Sequence, residues 1–195
     1  MKTENRKEYK LILNENELNE FFNRYGNDLE SIHPPRIIKS LYFDTLNFAL
    51  YEKSKFYDVD TYKFRIRTYP NKKKYFKEIK FNTSNGKKKL VEELNIKSFK
   101  NVEQTSFRGT LLYPCLFTEY KRQYFAHENC RITLDTSIKV YSHQFRSKVS
   151  KENYFQRDIL EFKMLSSNPN IEKYIFKNPE AFSKYKYGVE KLYYV

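Results

Sequence analysis

The chain has 195 residues, a length that suits one domain with a single core, and 37 Lys and Arg against 24 acids give it a net charge of +13. An excess of that size points to an anionic partner, while 18 Tyr and 17 Phe supply aromatic bulk for a core although hydrophobic residues are only 39%. Two distant cysteines, Cys115 and Cys130, exclude a zinc ribbon or a disulfide framework, and four scattered glycines exclude a P-loop or a GxGxxG turn.

The first strand covers residues 6–13. Asn14 with Glu17 then reads as a capping box, and Leu18, Phe21, Phe22 and Tyr25 follow at helical spacing until Gly26 stops the helix. After a polar loop reaching Pro34 and Pro35, residues 37–44 form a strand, and Thr45 caps a short helix from 46 to about 53. Residues 61–69 alternate as a strand, 71–74 turn, and 75–82 return. Asn85-Gly86 is a hairpin signal that leads into a strand over 87–94. The stretch 97–112 is irregular, with room for a short helix. Strands follow at 116–125, 130–135 and 158–164, and a helix near 171–176 and a short element over 182–192 close the chain. The N-terminus has no apolar h-region and no stretch approaches 18 apolar residues, so the protein reads as soluble and cytoplasmic, without a membrane segment. About eight short-turned strands predict an α+β fold: a closed antiparallel β-barrel with a few flanking helices, one domain over 1–195.

The charges within these strands keep to one side. A period of two puts Lys63, Arg65 and Arg67 on one face and Tyr62, Phe64 and Ile66 on the other. Glu78 with Lys80, Arg131 with Thr133 and Asp135, Glu161 with Lys163, and Glu8 with Lys10 repeat the pattern. A solvated outer face accounts for most such sheets. Here the charged faces are poor in Ser, Thr and Gln and set an acid two residues from a base, which suits a polar lumen able to hold one small ligand. Two like charges about 4 Å apart repel by roughly 4 kcal/mol at an effective dielectric of about 20. Glu8, Glu78 and Glu161 would offset part of that repulsion, and a polyanion the rest. With no glycine cradle, side chains must hold any phosphate. His33, His127 and His143 lack metal-site spacing and read as packing or surface residues, and Asp44 and Asp135 as strand-to-turn residues.

Eight segments, in order, carry a resemblance: RKEYK at 6–10, SLYFDT at 40–45, KFRIRTY at 63–69, EIK at 78–80, EYKR at 119–122, RITLDT at 131–136, LEFK at 160–163, and SKY at 183–185 followed by Gly188. Through them nearly the whole chain resembles the polyphosphate polymerase domain of vacuolar transporter chaperone (VTC) proteins, in the triphosphate tunnel metalloenzyme (CYTH-like) superfamily. The resemblance implies that Arg65 and Arg67 grip a triphosphate and that Lys80, Arg122 and Arg131 are further catalytic basic residues. It implies phosphate-binding roles for Lys10, Lys63, Lys184 and Lys186 and for one of the run Lys87, Lys88 and Lys89, with Lys87 and Lys89 preferred. Glu161 corresponds to a ligand of Mn²⁺ or Mg²⁺, with Glu8 and Glu78 as further candidates. The implied activity transfers the γ-phosphate of ATP or another nucleoside triphosphate to a polyphosphate chain; a triphosphatase and a polyphosphate-binding module are the alternatives. Nucleic acid is not an expected partner. Arg6 stands where many relatives of the wider superfamily begin ExExK, which favours the polymerase-like branch and removes one metal ligand. The expectation for the fold is that Lys10, Arg65, Arg67, Lys80, Arg122, Arg131 and Glu161 line one channel.

Overall fold

A computed structural model describes residues 7–57, 59–69, 74–84, 86–144, 146, 149–164 and 169–194. In chain order the elements are β1 (Lys7–Leu13), α1 (Glu15–Tyr25), β2 (Glu30–Asp44), α2 (Ala49–Phe56), β3 (Thr61–Tyr69), β4 (Lys74–Thr83), β5 (Gly86–Leu94), β6 (Thr105–Phe107), β7 (Thr110–His127), β8 (Cys130–Ser142), β9 (Glu152–Phe155), β10 (Asp158–Met164), α3 (Pro169–Glu172) and α4 (Lys184–Tyr193). They make a ten-stranded sheet in the order β1-β10-β8-β7-β2-β3-β4-β5, with β6 on β7 and β9 on β8. That path has two ends. Among the described residues no ladder joins β5 to β1, so the closed barrel expected from the strand count is corrected to an open sheet. The reason lies in β5, whose sequence GKKKLVEEL puts charge on both faces and leaves most of the strand exposed; a charged edge resists indiscriminate pairing.

The chain divides into two compact units. Unit 1 comprises residues 1–37, 120–138 and 154–182. Its ladders set Leu11 against Leu160 and Leu160 against Leu134, so the apolar residues of β1, β10 and β8 share one face. That face buries Leu11, Leu13, Ile132, Leu134, Leu160 and Phe162 beneath Phe21 of α1 and Tyr174, each such side chain contributing about 1.5–3 kcal/mol. The helix α1 begins as its sequence predicts, with Asn14 and Glu17 exchanging side-chain and backbone bonds. The opposite face of the same strands is left to the charged residues.

Unit 2 comprises residues 38–119, 139–153 and 183–195. One core gathers Leu41, Phe43, Phe64, Ile66, Ile79 and Phe81 from β2, β3 and β4. A second joins α4 to Tyr42, Cys115, Leu116 and Val140. Packing there is close at Gly188, where a Cβ would stand 3.0 Å from Leu116 Cδ2 and the leucine would have to shift. The helix α2 starts at Ala49 rather than at 46 because Asp44 and Thr45 reach forward to cap it. Asp44 accepts from the backbone N–H of Thr45, Leu50 and Tyr51 and from the Tyr185 hydroxyl, and Thr45 Oγ1 accepts from Ala49 N. Burial raises the Asp44 pKa against these bonds, and the residue is structural.

Three strands outrun their sequence signals. β2 begins at Glu30 and runs through both prolines, β7 begins at Thr110, and β8 continues to Ser142 past Ser137, whose φ of 52° breaks the alternation. The irregular stretch holds β6, and β9 carried no clear pattern. Position 6, positions 71–73 of the expected turn and Asn85 of the hairpin signal lie outside the described residues, although the ladder does pair Thr83 with Gly86. No described helix is long and apolar enough to cross a membrane.

Candidate functional site

In unit 2 the alternation of β3 brings Lys63, Arg65 and Arg67 to one face, and the ladders decide what lies beside each. Lys63 stands opposite Lys80, and Lys80 opposite Lys89. Arg65 lies between Tyr42 and Glu78, and Arg67 beside Ser40. Glu78, only 4% exposed, is the hub. Its Oε2 accepts from Arg65 Nε at 2.7 Å and Nη2 at 2.5 Å, its Oε1 accepts from Lys89 Nζ at 2.6 Å, and Arg67 Nη1 stands 3.6 Å away. Tyr42 Oη accepts from Arg65 Nη1 at 2.9 Å, and Ser40 Oγ from Arg67 Nε at 3.4 Å.

The electrostatics of this face are unbalanced. Burial works against the Glu78 carboxylate, yet Arg65, Arg67 and Lys89 hold it well below the usual range. Lys89 is driven the other way: burial, reinforced by repulsion from Arg65 and Arg67, lowers its pKa despite the bond to Glu78. On this face Arg65, Arg67 and Lys89 engage Glu78, Lys63 and Lys80 lie beside them in register, and Glu93 pairs with Lys74 at the start of β4. Like charges set directly across strands destabilise a sheet, and here three lysines lie in one row.

The remaining basic candidates of unit 2 sort themselves. Lys63 Nζ donates to Ser183 Oγ at 3.1 Å, at the cap of α4. Lys87 shares the face of Lys89 near the strand end, while Lys88 falls on the opposite face. Lys186 Nζ donates to the Ser54 carbonyl and ties α4 to α2. Lys184 is half-buried in the first turn of α4.

In unit 1 the polar face is a checkerboard. Lys10 faces Glu161, which faces Thr133; Glu8 faces Lys163, which faces Arg131. Lys10 Nζ lies 3.1 Å from Glu8 and donates to the Phe182 carbonyl, and Lys163 Nζ lies 2.9 Å from Glu161. Arg122, nearly buried, clamps Asp135 through two bonds of 2.5 and 2.6 Å and reaches within 3.9 Å of Glu161. Arg131 stands opposite Lys163 at the edge of this face, exposed, with its guanidinium over the Tyr124 ring. Burial opposes the Glu161 charge, but contact with the Glu8 carboxyl and the nearby Lys163, Lys10 and Arg122 hold it well below the ordinary carboxylate range.

Two adjoining carboxylates are the donor set that a hard divalent cation takes from protein when phosphate oxygens and water complete its shell. Glu8 and Glu161, on the same face of the β1–β10 ladder, fit that requirement. Glu78 does not, because three cations already enclose it. No group of three His, Cys, Asp or Glu side chains among the described residues could cage a metal alone. Sequence patterning missed Tyr42 and Ser40, whose roles come from cross-strand register, and it missed Asp135 as the partner that positions Arg122. His143 packs on Phe117, and burial next to Arg146 lowers its pKa, as suits a packing residue.

The VTC domain profile matches residues 5–108 and 89–193. No curated protein matches the sequence. Among solved structures, the PH1819 protein of Pyrococcus horikoshii aligns at a TM-score of 0.58 and 14% identity over 95% of this chain and 99% of that one. A Bacillus halodurans protein provisionally named an adenylate cyclase aligns at 0.59 and 13%, over 93% and 97%. The Hippeastrum protein HpAC1, provisionally named an adenylyl cyclase and described by a dominant triphosphatase activity, aligns at 0.52 and 13%, over 95% of each chain. At such identities the likeness is one of fold.

Proposed function

Because the chain belongs to the VTC domain family, within the CYTH-like triphosphate tunnel superfamily, we propose that it is a metal-dependent phosphotransferase. It binds ATP or another nucleoside triphosphate and passes the γ-phosphoryl group to a polyphosphate chain. The observation that carries this reading is the row Lys63, Lys80 and Lys89 beside Arg65 and Arg67, gathered around the buried Glu78. Arg offers planar forks for phosphate oxygens, and Lys mobile point charges. In the reaction the bond from the γ-phosphorus to the bridging oxygen breaks, a terminal polyphosphate oxygen forms the new bond, and the nucleoside diphosphate leaves. Arg65 and Arg67 orient the phosphates and neutralise their charge, which is most of what phosphoryl transfer asks of a protein. Glu161 and Glu8 would hold Mn²⁺ or Mg²⁺, which when bound supplies further neutralisation at phosphate oxygens.

Hydrolysis is the second reading, favoured by the triphosphatase activity described for the Hippeastrum protein. It requires a base for the attacking water. Glu78 and Glu161, both held below the usual carboxylate range, are weak bases. A terminal polyphosphate oxygen is already ionised and needs none. Incubation with ATP and Mn²⁺ separates the two: transfer yields nucleoside diphosphate with growing chains, whereas free phosphate as the sole product supports hydrolysis. Glu161→Gln should cut metal-dependent turnover by roughly 100-fold while tripolyphosphate binding without metal persists. Full turnover in that variant would remove Glu161 from the metal site.

A further inference from the structure

The strand β5 ends the sheet with its outer edge uncovered: Leu90 is 42% and Val91 54% exposed, and among the described residues β4 is its only strand neighbour. A Lys-rich edge normally repels other strands. This one carries a sign pattern with a different property. Three lysines, 87 to 89, precede Leu90 and Val91, and two glutamates, 92 and 93, follow. Read against a second copy of itself running antiparallel, with Leu90 opposite Leu90, the strand sets Lys88 against Glu92 and Lys87 against Glu93. The two-fold axis doubles both pairs. Moving the axis one residue back sets Lys89 against Lys89, and two residues on sets Glu92 against Glu92. Centring it on Val91 leaves only Lys89 with Glu93 and puts Leu90 against Glu92. A parallel arrangement opposes every lysine to a lysine. Opposite charges directly across strands stabilise a sheet and like charges destabilise it, so the pattern selects one arrangement.

We propose that this chain self-associates through β5, two copies pairing antiparallel about Leu90, so that the four-stranded portion β2-β3-β4-β5 of each unit 2 continues into that of its partner copy. The intrachain partners leave room for it. Glu92 already pairs with Lys77 and Glu93 with Lys74, but both carboxylates stay more than half exposed and can accept a second cation. Leu90 and Val91 lose their exposed apolar surface in the pairing. The pairs are exposed, so the association is weak and weakens further with salt. The test pair is independent of the phosphotransferase reading, since Lys88 and Glu92 lie on the face opposite Arg65 and Lys89, whereas Lys87 and Glu93 share the face of Lys89.

Sedimentation equilibrium at low salt should give a weight-average mass rising with concentration from 23.9 kDa toward twice that value. Lys88→Glu and Glu92→Lys each set like charges across the axis and should return a single-chain mass at every concentration. The double variant K88E/E92K restores opposite charges in the same register. It should recover the dimer although it sacrifices the Lys77–Glu92 pair, which rules out misfolding as the cause of the single-variant losses. A single-chain mass for the unaltered protein throughout, or a dimer indifferent to the single reversals, overturns the proposal.

Discussion

The two polar faces are built from the same period-two alternation, yet they balance their charges differently. In unit 1, Glu8, Glu161 and Asp135 meet Lys10, Lys163 and Arg122 nearly one for one. In unit 2 Lys63, Arg65, Arg67, Lys80 and Lys89 crowd around Glu78, and Glu93, also on this face, pairs with Lys74. A neutral checkerboard is complete without a ligand and offers a carboxylate pair for a cation. An excess of fixed positive charge is left unbalanced until an anion arrives. Strand alternation alone therefore reveals a polar face, and the cross-strand register shows which charges that face sets together.

If the excess in unit 2 is the phosphate site, the largest effect belongs to R65A/R67A. Each arginine makes charge-assisted bonds worth about 1.5–3 kcal/mol, so tripolyphosphate affinity measured by calorimetry should fall by at least about 100-fold. Next comes Glu78→Gln, which strips the hub from Arg65, Arg67 and Lys89. Removing one partner of a buried ion pair costs about 3–5 kcal/mol, and urea titration should read a loss of that order. Tripolyphosphate should recover part of it, because the ligand takes over the neutralisation. The corresponding change in unit 1, Asp135→Asn, should show no such recovery.

Acid sharpens the contrast through the whole molecule. The folded-state pKa values of Glu78 and Glu161 lie below the ordinary 4.5. The unfolded chain therefore takes up protons first, and the stabilisation is full above about 4.5 and lost as pH falls further. Asp44, raised by burial, acts in the opposite sense and softens the loss. Melting followed from pH 7 to about pH 3 should stay level and then fall, less steeply in Glu78→Gln, which lacks one of the two groups.

What was legible in the sequence was what is local. The capping box of α1 and the alternation over Lys63, Arg65 and Arg67 needed only neighbours along the chain, and both are in place. The closed barrel was not legible, because whether β5 finds a further partner depends on an edge, and edges are a property of the whole sheet. Asp44 looked like a turn residue because the groups it satisfies at Tyr51 and Tyr185 are distant in sequence. Lys186 is read from its place in the SKY segment alone, and its bond to the Ser54 carbonyl depends on a contact between α4 and α2 that is distant in sequence. The smallest predicted effect follows from that: Lys186→Ala should lose about 0.5–1.5 kcal/mol of stability and leave tripolyphosphate affinity unchanged by calorimetry.

Thermal melting with phosphate ligands bears most directly on the claim that the unbalanced face of unit 2 holds a polyphosphate. Tripolyphosphate at about 100 times its dissociation constant adds roughly 2.7 kcal/mol, which for a chain of this size should raise the midpoint by about 5–10 °C. Monophosphate at the same concentration should leave it nearly unmoved, and R65A/R67A should abolish the tripolyphosphate shift. Equal shifts from both ligands, or a shift that survives R65A/R67A, would contradict the account.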